Sequence, residues 1–342
     1  MVKGIEWLSR WALPLLLVFA LIIAVRVLTL GAPNPEHPDW NPIQGLGFLW
    51  NPDLAALKDA KVWLAAAGQV FFTLSVGIGV ILTYASYLRR EKDVVLSGLT
   101  SVSTNEFAEV ILGGSIVIPA AFAFFGPTQI KAIAGSGSFN LGFVTMPLIF
   151  QQISLGALFA FLWFALLFLA GLTSSISLLQ PAMAFMEDEF HLPRKYAAWV
   201  AGAFTFAACH PVIFFFHRGV LDELDFWGGT FSLVLFATVE IILFAWVFGM
   251  DRAWREMHHG AELAIPRIYK PIIQYVTPTF LILILLFWLM QEGLPVVLLK
   301  NVSAANRPYA LATRLGLTLL FIALAWAVKL AWNRKRSTGR GR

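Results

Sequence analysis

The sequence predicts an all-α, polytopic membrane protein, and three observations predict it. The chain is 58% hydrophobic and 13% charged over 342 residues. Its mean hydropathy is +0.74, more apolar surface than a water-soluble domain of this length can hide. The apolar residues also gather into runs of membrane-span length, about 20 residues each. Eight runs qualify: residues 12–30, 63–87, 104–125, 152–186, 196–216, 226–249, 276–291 and 311–332. Apolar–polar alternation is sustained nowhere, which argues against a β-barrel. Residues 1–342 therefore read as one transmembrane domain with no soluble domain attached.

Taken in order, the first run follows Lys3 and Arg10, as a signal peptide would, but Arg26 closes it directly and no A-x-A cleavage pattern follows. It reads as a retained helix. Residues 31–62 form a loop rich in Pro and Asn. The second run holds Gln69, Thr73, Ser75, Gly77 and Gly79, and its centre, FTLSVGIG at 72–79, predicts a break in the helix. The third holds Asn105 and Glu109, spaced to share one helix face. Residues 126–151 mix apolar and small residues and read as short helices dipping back toward protein, where irregular backbone at membrane depth is tolerated. The fourth run is too long for one straight crossing; it carries GLTSS at 171–175, then Ser177 and Gln180. Residues 251–275 carry both charge signs and predict an amphipathic connector, with His258 and His259 solvated rather than metal-bound. The single Cys209 excludes an intrachain disulfide and reads as a small apolar filler.

Lys and Arg placement sets an orientation. With residues 1–11 cytoplasmic, the inner segments collect Arg89, Arg90, Lys92, Arg194, Lys195, Arg252, Arg255, Arg267, Lys270 and the RKRSTGRGR tail. Eight crossings return both termini to the cytoplasmic side of an inner (plasma) membrane. The net charge of +5 is then a topology signal, and no nucleic-acid partner is needed to explain it.

A helix broken at mid-span has a chemical use. Unwinding frees carbonyl oxygens to coordinate a cation, and the exposed half-helix end presents N–H groups to a charged substrate. Discontinuous helices serve secondary transporters this way. The alternative is that the hydroxyls bond back to their own helix and the glycines allow close packing.

The segment GQVFFTLSVGIGVILTYASYLRREKDVVLSGLTSVSTNEFAEVILGGSIVIPAAFAFFG, starting at Gly68, resembles the sixth and seventh helices of the neurotransmitter:sodium symporters, most of all the bacterial amino-acid transporters. GLTSSISLLQP (171–181), FMEDE (185–189) and LDELDFWGGT (221–230) continue the likeness, which runs from about residue 3 to 335. It implies a partial inverted-repeat transporter fold that lacks the family's first four helices.

The resemblance also implies roles. Phe72, Thr73, Ser75, Ile78, Ser174 and Leu178 would line the substrate pocket, Phe72 as its aromatic lid. Thr73 and Asn105 would ligate one sodium ion; Ala170, Thr173 and Ser174 would ligate a second through a carbonyl and two hydroxyls, oxygen ligands that suit a hard cation. Glu109 occupies the position where chloride-independent members carry a carboxylate in place of bound chloride. Asp225 would be the outer-gate acid, and Asp188, with Tyr87 and Gln180, would belong to the inner gate. Ile78 stands where an aromatic is common and Leu178 where Ile occurs, so no particular substrate is carried over.

The function expected is sodium-coupled symport of an amino acid or related small amine, with the lipid bilayer as surroundings, sodium as the co-transported ion and no organic cofactor. The missing helices would come from a second chain, or the chain is a truncated, non-transporting membrane protein or scaffold. An enzyme is disfavoured: His191, His210 and His217 lie near span ends on different sides, and neither H-E-x-x-H nor G-x-S-x-G occurs.

Overall fold

The structure is a computed structural model that describes residues 2–135 and 137–337. Met1, Ser136 and the end of the basic tail, 338–342, lie outside the described residues, so the tail's expected cytoplasmic placement does too. The described residues are helical, with no strand among them. Along the chain run α1 (Val2–Leu28), α2 (Pro42–Trp50), α3 (Ala60–Thr73), α4 (Val80–Ala85), α5 (Val94–Glu106) and α6 (Val117–Gly135). Then come α7 (Leu141–Phe150), α8 (Gly156–Phe190), α9 (Arg194–Phe214), α10 (Val220–Val247), α11 (Met250–Met257), α12 (Tyr269–Val297) and α13 (Arg307–Ser337).

Seven helical stretches among the described residues are long and apolar enough to cross a membrane: Gly4–Leu28, Val94–Gly135, Gly156–Phe190, Arg194–Phe214, Val220–Val247, Tyr269–Val297 and Arg307–Arg334. Residues 63–87, expected as a crossing, do not add an eighth helix of that kind, because α3 stops at Thr73 and α4 begins at Val80. Several boundaries shift, each for a local reason. The third run starts at Val94 rather than 104 because Asp93 accepts the Leu96 N–H at 2.8 Å and caps the helix. The fourth is displaced to Gly156–Phe190, between Leu155 (φ 58) and His191 (φ 54), left-handed residues at which a helix cannot continue. Its 35 residues amount to about 52 Å at 1.5 Å per residue, well beyond a bilayer core of about 30 Å. Gly126 (φ 73) bends α6 where the third run was expected to end, and α7 supplies the short helix expected before residue 151.

Several helices contain π-helical stretches: Phe107–Gly113 after α5, then Asp225–Phe231 and Leu243–Val247 in α10, and Ile272–Val276 and Leu289–Gly293 in α12. In the first, the Gly114 N–H reaches back five residues to the Glu109 carbonyl at 3.1 Å. Such insertions often mark functional positions.

The chain divides into two compact units. One comprises the described residues of 1–55 and 97–177, around a core of Ile23, Ile116, Ile130, Met146, Ile149 and Trp163. The Trp163 indole N–H donates to the Gly142 carbonyl at 2.9 Å, so this large ring is buried with its polar atom satisfied. The other comprises the described residues of 56–96 and 178–342, where Leu64, Val234, Leu281, Ile284 and Trp288 pack together. There α11 forms the expected amphipathic connector, burying Met250 and Ala253 and exposing Arg252 and Arg255. His258 is not simply solvated. Its Nδ1 lies 2.8 Å from the Trp254 carbonyl, and its Nε2 accepts the Ile265 N–H at 3.2 Å. Cys209 is exposed instead of filling a core.

Candidate functional site

α3 begins with two caps: the Asp59 carboxylate accepts the Lys61 N–H at 2.8 Å, and the Gln291 amide oxygen accepts the Ala60 N–H at 2.9 Å. The helix then carries Phe72 and Thr73 to its last turn and stops. Ser75 (φ 57), Gly77 (φ 76) and Gly79 (φ 80) all take left-handed backbone, which no helix propagates through. Gly77 has a steric reason as well. A Cβ there would stand 2.8 Å from the Leu233 carbonyl oxygen. Gly79 lies beside Pro181, the neighbour of Gln180, with 3.7 Å from an ideal Cβ to the Pro181 Cβ.

The Leu74 N–H still reaches Val70, but those of Ser75 and Val76 turn to Phe72 and Phe71, so the N–H groups of residues 75–79 leave the i−4 pattern. One of them, the Gly77 N–H, donates to the Glu240 carboxylate at 3.3 Å. Glu240 lies in α10 within SLVLFATVEIILFAWVF, and it is absent from the residues singled out in the sequence. A lone carboxylate in a run this apolar is the signal that could have found it.

In the first unit, the Asn105 amide donates to Glu109 at 3.4 Å, so the two residues meet on one face as their spacing requires. The π-helical turn that follows uses the Glu109 carbonyl, so backbone and side chain of this residue serve different partners. On α8, the Thr173 hydroxyl donates to the carbonyls of Leu169 at 2.9 Å and Ala170 at 3.1 Å. The Thr173 hydroxyl thus bonds back to carbonyls of its own helix, one of them the Ala170 oxygen expected at the second sodium site. Ser174 is exposed on the adjacent position.

The remaining expected residues are more dispersed. Phe72 and Leu178 are 50% and 41% exposed, while Ser75 and Ile78 are half-buried. Gln180 is buried at 4% exposure; Tyr87, Asp188 and Asp225 are exposed. Among the described residues no ion pair includes Asp225 or Asp188. The ion pair that α10 does make uses Glu223, two residues before Asp225. Arg314 of α13 donates to both Glu223 oxygens at 2.7 and 3.0 Å, and also to the Val297 and Val296 carbonyls at 2.9 and 3.0 Å. Its guanidinium lies 5.2 Å from the Trp227 ring centroid. A pairing across 91 positions leaves no local pattern in the sequence.

The chain is similar to proteins of known sequence and structure. A sodium-dependent transporter of Methanocaldococcus jannaschii is 29% identical over 290 residues, covering 82% of this chain and 55% of the relative. The transporter YhdH of Bacillus subtilis is 30% identical over 243 residues, covering 70% of this chain and 49% of the relative. The chain thus spans about half the length of the curated relatives it matches. The crystal structure of MhsT in complex with L-phenylalanine superposes with a TM-score of 0.69 at 29% identity, covering 81% of this chain and 61% of that one. Residues 2–331 match the description of a family of transporters rather than enzymes, so the chain belongs to the Sodium:neurotransmitter symporter family.

Proposed function

We propose that the chain is the sodium- and substrate-coordinating part of a symporter for an amino acid. The observation that carries this reading is the break between α3 and α4, held by Glu240, within a family match that covers residues 2–331. On this reading α3 and α4 form one interrupted crossing, an eighth beside the seven long helices. Thr73 and Asn105 contribute to one sodium site, and Ala170, Thr173 and Ser174 to the other. Phe72, Ser75, Ile78 and Leu178 border the substrate; Asp225, Tyr87, Gln180 and Asp188 belong to the gates. An amino-acid substrate is supported by L-phenylalanine in MhsT and by a relative named as a sodium-dependent nutrient amino acid transporter in Drosophila persimilis. The placement is a multi-pass inner membrane protein with cytoplasmic termini, as the Lys and Arg distribution supports. The function requires helices beyond those of this chain, in the same or a partner polypeptide, because the match covers only 55% and 49% of the two relatives.

The test is uptake of radiolabelled amino acids by vesicles in which the chain is expressed with the additional helices of its relatives. Uptake should need an inward sodium gradient, fail with potassium, and be lost in Thr173→Ala. Absence of sodium-stimulated uptake of every amino acid tried would leave a non-transporting scaffold as the better description.

A further inference from the structure

Two cavities of the second unit meet at Arg314. One, of about 520 Å³, is charged and opens where α10 begins, α12 ends and α13 begins. Such span ends lie at headgroup level in a bilayer. Its walls carry Lys61 and Arg218 as cations and Asp222 and Glu292 as anions, together with the Arg314–Glu223 pair. That pair is internally satisfied: Arg314 and Glu223 are 17% and 13% exposed and bonded to each other. The other four charges are in no ion pair among the described residues. Arg218 only lies over the Tyr309 ring at 5.4 Å.

The second cavity, of about 600 Å³, is apolar and runs along α13 past Leu317, Leu320, Phe321 and Leu324, with Trp227 across from them. Arg314 and Val297 bound this groove at its upper end. From Arg314 to Leu324 the helix advances about 15 Å at 1.5 Å per residue. This is half of a hydrocarbon core of about 30 Å, the depth of one leaflet. Phe321 and Leu324 are 63% and 54% exposed, so the groove opens on the side where lipid tails would lie.

We propose that these joined cavities form a binding site for a phospholipid with a zwitterionic, amine-bearing headgroup. Lys61 and Arg218 face its phosphate, and Asp222 and Glu292 face its ammonium. An acyl chain lies in the groove on α13. The balanced charge selects the headgroup class: two cations and two anions without ion-pair partners fit a phosphate and an ammonium together, whereas an anionic lipid would leave both carboxylates facing no cation. The ammonium must also donate hydrogen bonds to the carboxylates, which a quaternary amine does not do.

The experiment is thermal unfolding of the purified, delipidated full chain in detergent. Palmitoyl-oleoyl phosphatidylethanolamine, the corresponding phosphatidylglycerol, and free O-phosphoethanolamine are titrated separately. Phosphatidylethanolamine should bind about tenfold more tightly than phosphatidylglycerol, the scale of one charge-assisted hydrogen bond. The Asp222→Asn, Glu292→Gln double variant should unfold at the parent temperature without lipid and bring that ratio to about one. Leu320→Trp, which fills the groove, should weaken both lipids. Equal affinity of the parent for both lipids would overturn the site, as would a double variant that keeps the preference. If O-phosphoethanolamine stabilises the chain as strongly as the lipid, the occupant is a free zwitterion and the lipid assignment is wrong.

Discussion

The Gly77 N–H and the Glu240 carboxylate, 163 positions apart in the chain, are joined by a 3.3 Å hydrogen bond at the point where α3 has ended and α4 has not begun. This bond gives a partner to a backbone group that the interrupted helix releases, away from bulk water, where an unsatisfied donor costs about 1–3 kcal/mol. Glu240→Ala should therefore lower stability by about that amount, and Glu240→Gln, which keeps an acceptor oxygen, by less. Gly77→Ala should also destabilise, by roughly 1–2 kcal/mol or more, because it combines a left-handed backbone with a 2.8 Å approach to the Leu233 carbonyl. Gly202→Ala is the control. It lies in α9 with nothing within 4 Å of the added carbon, and should be neutral or stabilising by about 0.5–1 kcal/mol. Thermal unfolding in detergent reads all four; equal losses for Gly77→Ala and Gly202→Ala would remove the packing account of the break.

Arg314 and Glu223 tie α13 to α10 and to the carbonyls ending α12. Removing either partner strands the other in a site that is only 17% or 13% exposed. Arg314→Ala should thus cost about 3 kcal/mol or more. Arg314→Lys should recover little, since an ammonium cannot reproduce the bidentate fork. The double variant Arg314→Met, Glu223→Leu should cost less than the sum of its single changes. Additive losses in that cycle would mean the pair contributes no coupling.

Asp93 joins two loops outside the crossings. It accepts the Glu262 N–H at 2.7 Å and the Leu96 N–H at 2.8 Å. Those two bonds, the Glu262 contact first, hold its carboxyl below the ordinary value of 3.8. A carboxylate lowered on folding stabilises fully above its unfolded value, and that stabilisation is lost as pH falls through the lowered folded value. The protection of the Glu262 and Leu96 amides, taken relative to the intrinsic exchange rate at each pH, should accordingly fall only below about pH 4, and Asp93→Ala should show the fast exchange at neutral pH. Slow exchange in that variant would show the carboxylate to be dispensable.

Glu109 meets Asn105 on one face, and the resemblance gives it the place of a bound chloride. In the complete transporter, uptake should not need chloride. Glu109→Ser should make it chloride-dependent, since one absent anion beside a cation site matters by several kcal/mol in a dry environment. Full activity of Glu109→Ser without chloride, or a chloride requirement in the parent, would contradict this role.

Much of this was legible in the sequence because membrane spans write their length directly into the hydropathy. The same holds for local signals. FTLSVGIG marked the break through residues with weak helix preference, and the spacing of Asn105 and Glu109 placed them on one face. Helix starts were harder. The hydroxyl-rich residues 94–103 fell outside the span read from residue 104, yet the cap at Asp93 starts the helix at Val94. Long-range partners were not readable at all: Glu240 and Arg314 find Gly77 and Glu223 only once the helices have packed.

The π-helical stretch Phe107–Gly113 has a consequence for how this chain tolerates change in length. A π turn holds one residue more than an α turn, so a single-residue deletion inside it restores α geometry without breaking the helix. The segments on either side would keep their orientation, because the bulge and not the flanking helix absorbs the extra residue. Loss of one residue from an ordinary α turn would instead rotate one segment by about 100° against the other. Within this stretch a gene with one codon fewer would still encode a membrane helix with the Asn105 amide on its original side, whereas the same loss in α5 or α6 would misdirect it.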